Sequence, residues 1–315
     1  MEILAYQDWM RPQVVKMFVA EYGGSEVEFE KLFLHFYESP FQKERCIRIV
    51  AVEGNKVGGF QSFFYWPLRR GKEVVHAWQS GNSLVHPDFR GKGLFAKMLD
   101  FIHLAESGFD AELLIGFPVE MSYNSFIRNK WNNPFDLTWF IKVGYPLRSL
   151  FKGGSTRISS TNFSRNTQAF ECQDDIIRVE HSVAFDEYRF AYQKGEYGRC
   201  VVEEKDRKVL IEFKIQIRKK IIRELVIGKI LFSNTEPKIN EELFSKALKK
   251  IGVALRPTIF SFAFNENYSN LKALALRNGF KKHERKIHFI VKGKVADSIN
   301  QWIDWDFQRA DIDTW

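Results

Sequence analysis

The chain has 315 residues, 45% of them hydrophobic and 30 of them Phe, with a formal net charge of +8 at pH 7. That is enough apolar material for the cores of two domains of ordinary size, and no stretch approaches the ~20 apolar residues of a membrane span. The opening Met1-Glu2-Ile3-Leu4-Ala5-Tyr6 has no basic and no apolar leader region. Cys46, Cys172 and Cys200 are odd in number and far apart, so a reducing cytoplasm is expected rather than a disulfide framework or a zinc site.

The charge is unevenly placed. Residues 1–150 carry 17 basic and 17 acidic groups, and residues 151–315 carry 30 and 22. The densest cationic cluster is Arg218-Lys219-Lys220 with Arg223. It lies between two apolar strand-like runs and reads as a solvated hairpin turn or as a contact for an anionic partner. No nucleic-acid-binding motif accompanies it, so nucleic acid is not an expected partner.

In chain order, Trp9 to Tyr22 carries Val14, Val15, Phe18 and Val19 at helical spacing, with Asp8 as the expected N-cap and Gly23-Gly24 as the stop. Phe29 to Tyr37 is a second, aromatic-rich helix, ended before Pro40. Strands follow at Ile47 to Val52, Val57 to Trp66 and Val74 to Val85, with turns at Gly54-Asn55 and Arg69 to Lys72. A helix runs from the turn at Arg90 to about Glu106. Glu112 to Phe117 is a short strand, Ser122 to Asn129 a helix, and Leu137 to Val143 a strand. Residues 150–167 are poor in apolar groups and read as a linker.

The most informative stretch is Arg90-Gly91-Lys92-Gly93-Leu94-Phe95, where a strand turns into an amphipathic helix. Gly91 and Gly93 let the backbone turn its amides toward one point. The first N–H groups of a helix lack internal partners, and the helix dipole favours an anion there. With Arg90 and Lys92 beside them, these groups form a cradle suited to a diphosphate. The Lys-Ser/Thr ending of an NTPase phosphate loop is missing, and no Gly-x-Gly-x-x-Gly follows an early strand.

The run Leu84-Val85-His86-Pro87-Asp88-Phe89-Arg90-Gly91-Lys92-Gly93 resembles the acyl-CoA loop of the GNAT N-acyltransferases. That family has a strand ending in Val-x-Pro, then Arg/Gln-x-x-Gly-x-Gly/Ala, then a helix. Arg90 and Gly93 match, and Phe95 stands where the last Gly or Ala is usual. The resemblance implies that amides from about Arg90 to Phe95 hold the CoA diphosphate, through Arg90, Gly91, Lys92, Gly93, Leu94 and Phe95. It also implies that backbone groups near Leu84 and Val85 pair with the pantetheine arm.

The second half repeats the first. A shift of 149 positions carries Leu94-Phe95-Ala96-Lys97-Met98-Leu99 onto Leu243-Phe244-Ser245-Lys246-Ala247-Leu248, Lys130-Trp131 onto Gly279-Phe280, and Phe140-Ile141 onto Phe289-Ile290. Three matches at one offset indicate an internal duplication. The same shift carries Arg90-Gly91-Lys92-Gly93 onto Ile239-Asn240-Glu241-Glu242. Glycines and cations are gone and two carboxylates replace them, so the second copy is not expected to hold CoA.

Acyl transfer to an amine needs proton removal from the amine, stabilisation of the oxyanion and, in some enzymes, protonation of the leaving thiolate. In the family a Tyr often serves as that acid at the position of Phe126 here, which has no proton to give. Tyr123, one helical turn earlier, is the substitute candidate. Glu120, after the strand Glu112 to Phe117, and His76, on the strand before the loop, are the candidate bases. Glu120 reads equally as a helix N-terminal carboxylate, and His76 as a packed residue beside Trp78. His86 and Asp88 read as loop residues. Asn82 and Ser83 orient substrate or bond the fold itself. Phe63, Phe64, Tyr65, Trp66 and Trp78 read mainly as core, with the open face available for stacking.

The expected fold is α/β (α+β), with two GNAT-like domains, each a mixed and mostly antiparallel twisted sheet flanked by helices. Residues 1–149 form the CoA-binding copy and 168–315 a degenerate one. The resemblance implies acetyl-CoA as co-substrate, an amine acceptor, no metal and no membrane; oligomeric state is open. Two rival readings stand beside it: a Fem-like transferase using aminoacyl-tRNA, which the basic second half suits, and a non-catalytic acyl-CoA-binding scaffold.

Overall fold

A computed structural model describes residues 1–104, 107–145, 176–191, 197–219, 221–233, 236–293 and 305–312. The elements are β1 (Glu2–Ala5), α1 (Arg11–Tyr22), α2 (Glu26–Tyr37), β2 (Ile47–Glu53), β3 (Lys56–Tyr65), β4 (Leu68–Arg70), β5 (Glu73–Val75), β6 (Ala77–Val85), α3 (Leu94–Phe101), β7 (Leu113–Gly116), α4 (Glu120–Arg128) and β8 (Asn132–Val143). Then follow β9 (Ile177–Val179), α5 (Val183–Ala191), β10 (Tyr197–Glu204), β11 (Arg207–Arg218), β12 (Ile222–Phe232), α6 (Pro237–Leu255), β13 (Ile259–Asn265), α7 (Ser269–Arg277) and β14 (Lys281–Lys292). The expected linker at 150–167 and Cys172 lie outside the described residues. Among the described residues no helix is long and apolar enough to cross a membrane.

Local chemistry accounts for the first elements. Asp8 is not the cap of α1: it opens a 3-10 turn, Asp8–Met10, and the α-helix starts a turn later with Pro12 in its first turn. Gly23, at φ +75°, ends it. A reciprocal capping box starts α2: the Glu28 amide donates to Ser25 Oγ at 3.3 Å, and the Ser25 amide donates to Glu28 Oε2 at 2.9 Å. The Ser25 hydroxyl also donates to Glu28 Oε2 at 2.9 Å, and with the Ser25 amide it holds the Glu28 carboxyl below its ordinary range. The strand β1, four residues without turn signals, is not anticipated from sequence. The expected strand from Val74 to Val85 is broken at His76 into β5 and β6.

The contacts divide the chain into two units. One comprises residues 1–68, 74–134 and 288–302; the other comprises 69–73, 135–287 and 303–315. The first unit's strands run β1-β2-β3-β6-β7, with the end of β14 last. All neighbours are antiparallel except β6 and β7, which are parallel. On one face, Ile49, Phe63 and Ile290 of the sheet share a core with Met98 and Leu99 of α3 and Phe126 of α4. On α1 and α2, Phe18, Phe33 and Tyr37 gather around Phe60, with ring centroids 5.6, 6.4 and 5.7 Å away.

The second unit repeats this order as β10-β11-β12-β13-β8, with β12 and β13 the parallel pair. Its core gathers Ile211, Phe244, Ile251, Phe262 and Phe280. The shift of 149 positions carries α4 end to end onto α7, and β8 end to end onto β14. Yet each 12-residue final strand crosses between units: β8 leaves the first after Pro134, and β14 joins it at His288. The units therefore do not follow a boundary between 149 and 168.

Burial raises the thiol of Cys46 to about 11 and pushes that of Cys200 upward. The Cys46 Sγ–H points at the Tyr37 carbonyl, 3.7 Å away. Thiolate is the reactive form. At pH 8 the native protein is expected to label at Cys46 about a hundredfold more slowly than in denaturant, read by mass spectrometry of quenched samples.

Candidate active site

β6 ends at Val85. His86 caps the 3-10 turn Pro87–Phe89 by accepting from the Asp88 amide at 3.3 Å. Lys56, at 3.2 Å, holds the Asp88 carboxyl below its ordinary range with help from His86. Asp88 is thus an ionised turn residue. Gly91 and Gly93 take φ of +77° and +70°, and Gly93 is the N-cap of α3. A Cβ at either would meet nothing within 4 Å, so the backbone conformation, not space, requires glycine.

The Arg90 amide is already used, donating to the Pro87 carbonyl at 3.1 Å. From Gly91 to Ala96, no amide donates to an acceptor among the described residues; the next, Lys97, donates to Gly93 at 3.2 Å. The run of amides without an acceptor among the described residues therefore starts at Gly91. Arg90 braces it instead. Its Nε donates to the Val85 carbonyl at 3.0 Å, and its Nη2 pairs with Glu21 Oε2 at 2.6 Å. Lys92 Nζ rests 5.0 Å from the Phe89 ring centroid.

The repeat has no such loop. α6 begins at Pro237, so Ile239 to Glu242 are already helical. Asn240 donates to the Glu236 carbonyl at 3.1 Å, and Glu241 pairs with Arg277 at 2.9 Å.

Strands β6 and β7 pair only from Ala77↔Leu113 to Gln79↔Ile115. Beyond this rung β7 ends while β6 continues to Val85, which leaves one side of β6 without a strand partner among the described residues. The His86 amide bonds the Gly58 carbonyl at 3.0 Å. Ladder alternation then turns the Leu84 main chain toward β3 and that of Val85 toward the gap. A register shift between Gln61 and Phe63 marks a bulge in β6 at Gly81 and Asn82, which together oppose Ser62. Asn82 donates to Tyr37 Oη at 2.8 Å, and Tyr37 donates to Ser62 Oγ at 3.0 Å. The Ser83 hydroxyl donates to Gln61 Oε1. Both residues are thus held by the fold's own network.

In the second unit the corresponding gap is filled by the chain itself. Gln308 exchanges two bonds with Ile230, at 2.8 and 3.2 Å. Asn265, at the end of β13, donates from its amide to the Phe307 carbonyl at 2.9 Å and from Nδ2 to the Trp305 carbonyl at 2.9 Å.

Glu120 is the first residue of α4, its side chain 84% exposed. His288, carried in on β14, meets Glu120 Oε2 through Nε2 at 3.1 Å and stacks on the Tyr123 ring at 4.0 Å between centroids. The structure therefore brings Glu120 and Tyr123 together and adds a histidine that local sequence signals did not reveal. Phe126 is core, edge-on to Phe95 at 5.2 Å and to Trp131 at 5.0 Å. His76 is not brought to this cluster. It lies before the first β6–β7 rung, at the opposite end of β6 from the loop, with Nδ1 2.6 Å from Tyr65 Oη. The strand aromatics pack rather than form a platform: Phe63, Phe64 and Trp66 are buried, and Trp78 Nε1 donates to the Arg45 carbonyl at 2.8 Å.

No protein-family model matches this sequence, and no curated protein matches it. Solved structures do. A GCN5-related N-acetyltransferase from Anabaena variabilis matches over 93% of this chain and 72% of its own, at 10% identity and a TM-score of 0.62. A GCN5-related N-acetyltransferase from Kribbella flavida matches over 92% and 70%, at 10% identity and a TM-score of 0.59. The chain has the GCN5-related N-acetyltransferase fold, with the mixed, mostly antiparallel sheets expected from its sequence.

Proposed function

We propose that this protein is an N-acyltransferase that moves an acetyl group from acetyl-CoA to a primary amine of a small molecule, amino sugar or peptide. The observation that carries this reading is the row of amides from Gly91 to Ala96 that meet no acceptor among the described residues, at the end of a strand whose neighbour has parted from it. Amides in that arrangement, at a helix N-terminus and beside Lys92, suit a diphosphate. The Val85 N–H, turned to the gap while its carbonyl accepts from Arg90, suits a carbonyl of the amide-bearing pantetheine arm. Acetyl-CoA supplies the activated thioester when bound.

Glu120 is the base that accepts the amine proton, held by His288 Nε2 at 3.1 Å. Tyr123 is the acid that returns a proton to the leaving sulfur, its ring fixed by stacking on His288. His76, at the other end of β6, has no place in this scheme. Activity resides in the first unit; the second supports the fold. The work belongs in a reducing cytoplasm, as the cysteine pattern suggests.

Calorimetry of the full chain with acetyl-CoA tests this. The expected result is one site per chain, because the second copy has helix in place of the cradle. No heat of binding, with an intact fold, overturns the reading. Two equivalent sites overturn the division between the copies.

A further inference from the structure

Gln79 occupies the last rung of the β6–β7 ladder, opposite Ile115. It is fully buried, and among the described residues neither its Oε1 nor its Nε2 finds a hydrogen-bond partner. Its surroundings account for that. Across the β3 ladder it faces Phe64, and two residues away along β6, on the same face, stand Ala77 and Gly81. None of these side chains, nor that of Ile115, can hydrogen-bond. A side chain at Gly81 could not supply the bond either, since its Cβ would lie 2.3 Å from the Phe64 ring. A buried carboxamide left unmatched at both ends is costly, and such groups call for an explanation.

Its position along the strand supplies one, resting on the acyl-CoA reading above. The arm between diphosphate and thioester has about as many backbone bonds as five residues of extended chain, or roughly 17 Å. Laid along β6 from Val85, an arm of that length ends at Ser80 or Gln79, since each strand residue advances about 3.3 Å. We infer that the Gln79 carboxamide is the group that positions the acyl end of the donor, its Nε2–H donating to the acyl carbonyl oxygen. It stays neutral, so it orients the carbonyl and leaves proton transfer to other residues.

Gln79→Leu, with Gln79→Met as a second variant of similar volume, separates this role from a structural one. The melting temperature without ligand and the affinities for acetyl-CoA and for CoA are measured on the full chain. The expected result is a melting temperature equal to or above wild type, because an unmatched polar group is gone. Acetyl-CoA affinity falls by about tenfold, the worth of one buried hydrogen bond. CoA affinity stays unchanged, because CoA has no acyl carbonyl. A fall in melting temperature in both variants overturns the inference, since Gln79 would then be bonded within the fold. Unchanged acetyl-CoA affinity overturns it too. A wild type that binds neither compound sinks the underlying donor reading, which the wild-type titration reports by itself.

Discussion

Arg90→Glu is expected to lower acetyl-CoA affinity by at least about a hundredfold, while Lys246→Glu leaves it within about twofold. Arg90 joins three things in the wild type: the end of β6 through the Val85 carbonyl, α1 through Glu21, and the turn that sets the amides from Gly91 onward. Reversing the charge places a carboxylate against the Val85 carbonyl and Glu21, and in the path of an incoming diphosphate. Both side-chain contacts become repulsive and the diphosphate is repelled as well, so the site is lost both as geometry and as potential. Lys246, by contrast, stands on α6 in an exposed pair with Glu204 at 2.5 Å. Its reversal costs at most about 1 kcal/mol of stability, in a copy with no cradle to disturb. Circular dichroism alongside the calorimetry shows whether each variant keeps its fold. Equal loss of binding in both would refute the assignment of the donor site to the first copy.

The largest stability effect is expected at Asp311. Lys229, on β12, and Asp311, in the segment Trp305 to Ile312, are both fully buried and meet at 2.8 Å. Burial alone would push Lys229 down and Asp311 up. The carboxylates of Asp306 and Asp311 outweigh it for the lysine, whose net shift is upward. Lys229 and His181 outweigh it for the aspartate, whose net shift is downward. The Gln308 amide adds a bond to Asp311 Oδ2 at 2.7 Å. Asp311→Ala leaves the buried ammonium only the Asp306 carboxylate, 3.7 Å away, and should cost about 3 kcal/mol in urea unfolding. Lys229→Met with Asp311→Leu removes both charges and should recover most of that loss.

The pH dependence has a definite sign. A carboxyl held low in the folded state contributes stability above its unfolded value near 3.9, and the contribution is lost as pH falls through the lower folded value. The lysine, held high, contributes below about 10.4 and loses its contribution as pH rises through its folded value. Wild type should therefore show acid sensitivity in the second unit that the double variant lacks. Equal acid profiles for the two would show that the pair carries no linkage.

How much of this was legible beforehand depends on how local the cause is. The cradle is: two glycines with positive φ, and a helix start, lie within six residues. The duplication was legible because three short matches share one offset of 149, and the structure lays α4 and β8 onto α7 and β14 at that same offset. Glu120 and Tyr123 were legible as separate candidates; that they stand one turn apart on α4 was not, because the helix was expected to start only at Ser122. His288 was not, because its place is set by the pairing of Ile290 with Gly116, which no local pattern encodes. Gln79 looks like an ordinary alternation residue until its neighbours in three strands are known to be apolar. The Asp8 cap failed because a 3-10 turn intervenes before α1. Nothing near Gln308 announces that its side chain will bond both main-chain groups of Ile230.

The crossing of β8 and β14 has a consequence for ancestry. Two copies of one sequence, each closing its sheet with the other's final strand, form the pattern that fusing a strand-swapped homodimer into a single polypeptide produces. Such a fusion makes the subunits inseparable while freeing their sequences to diverge. One copy can then give up its glycine turn and let its own tail fill the gap, yet it must still lend the strand that brings His288 to its sibling.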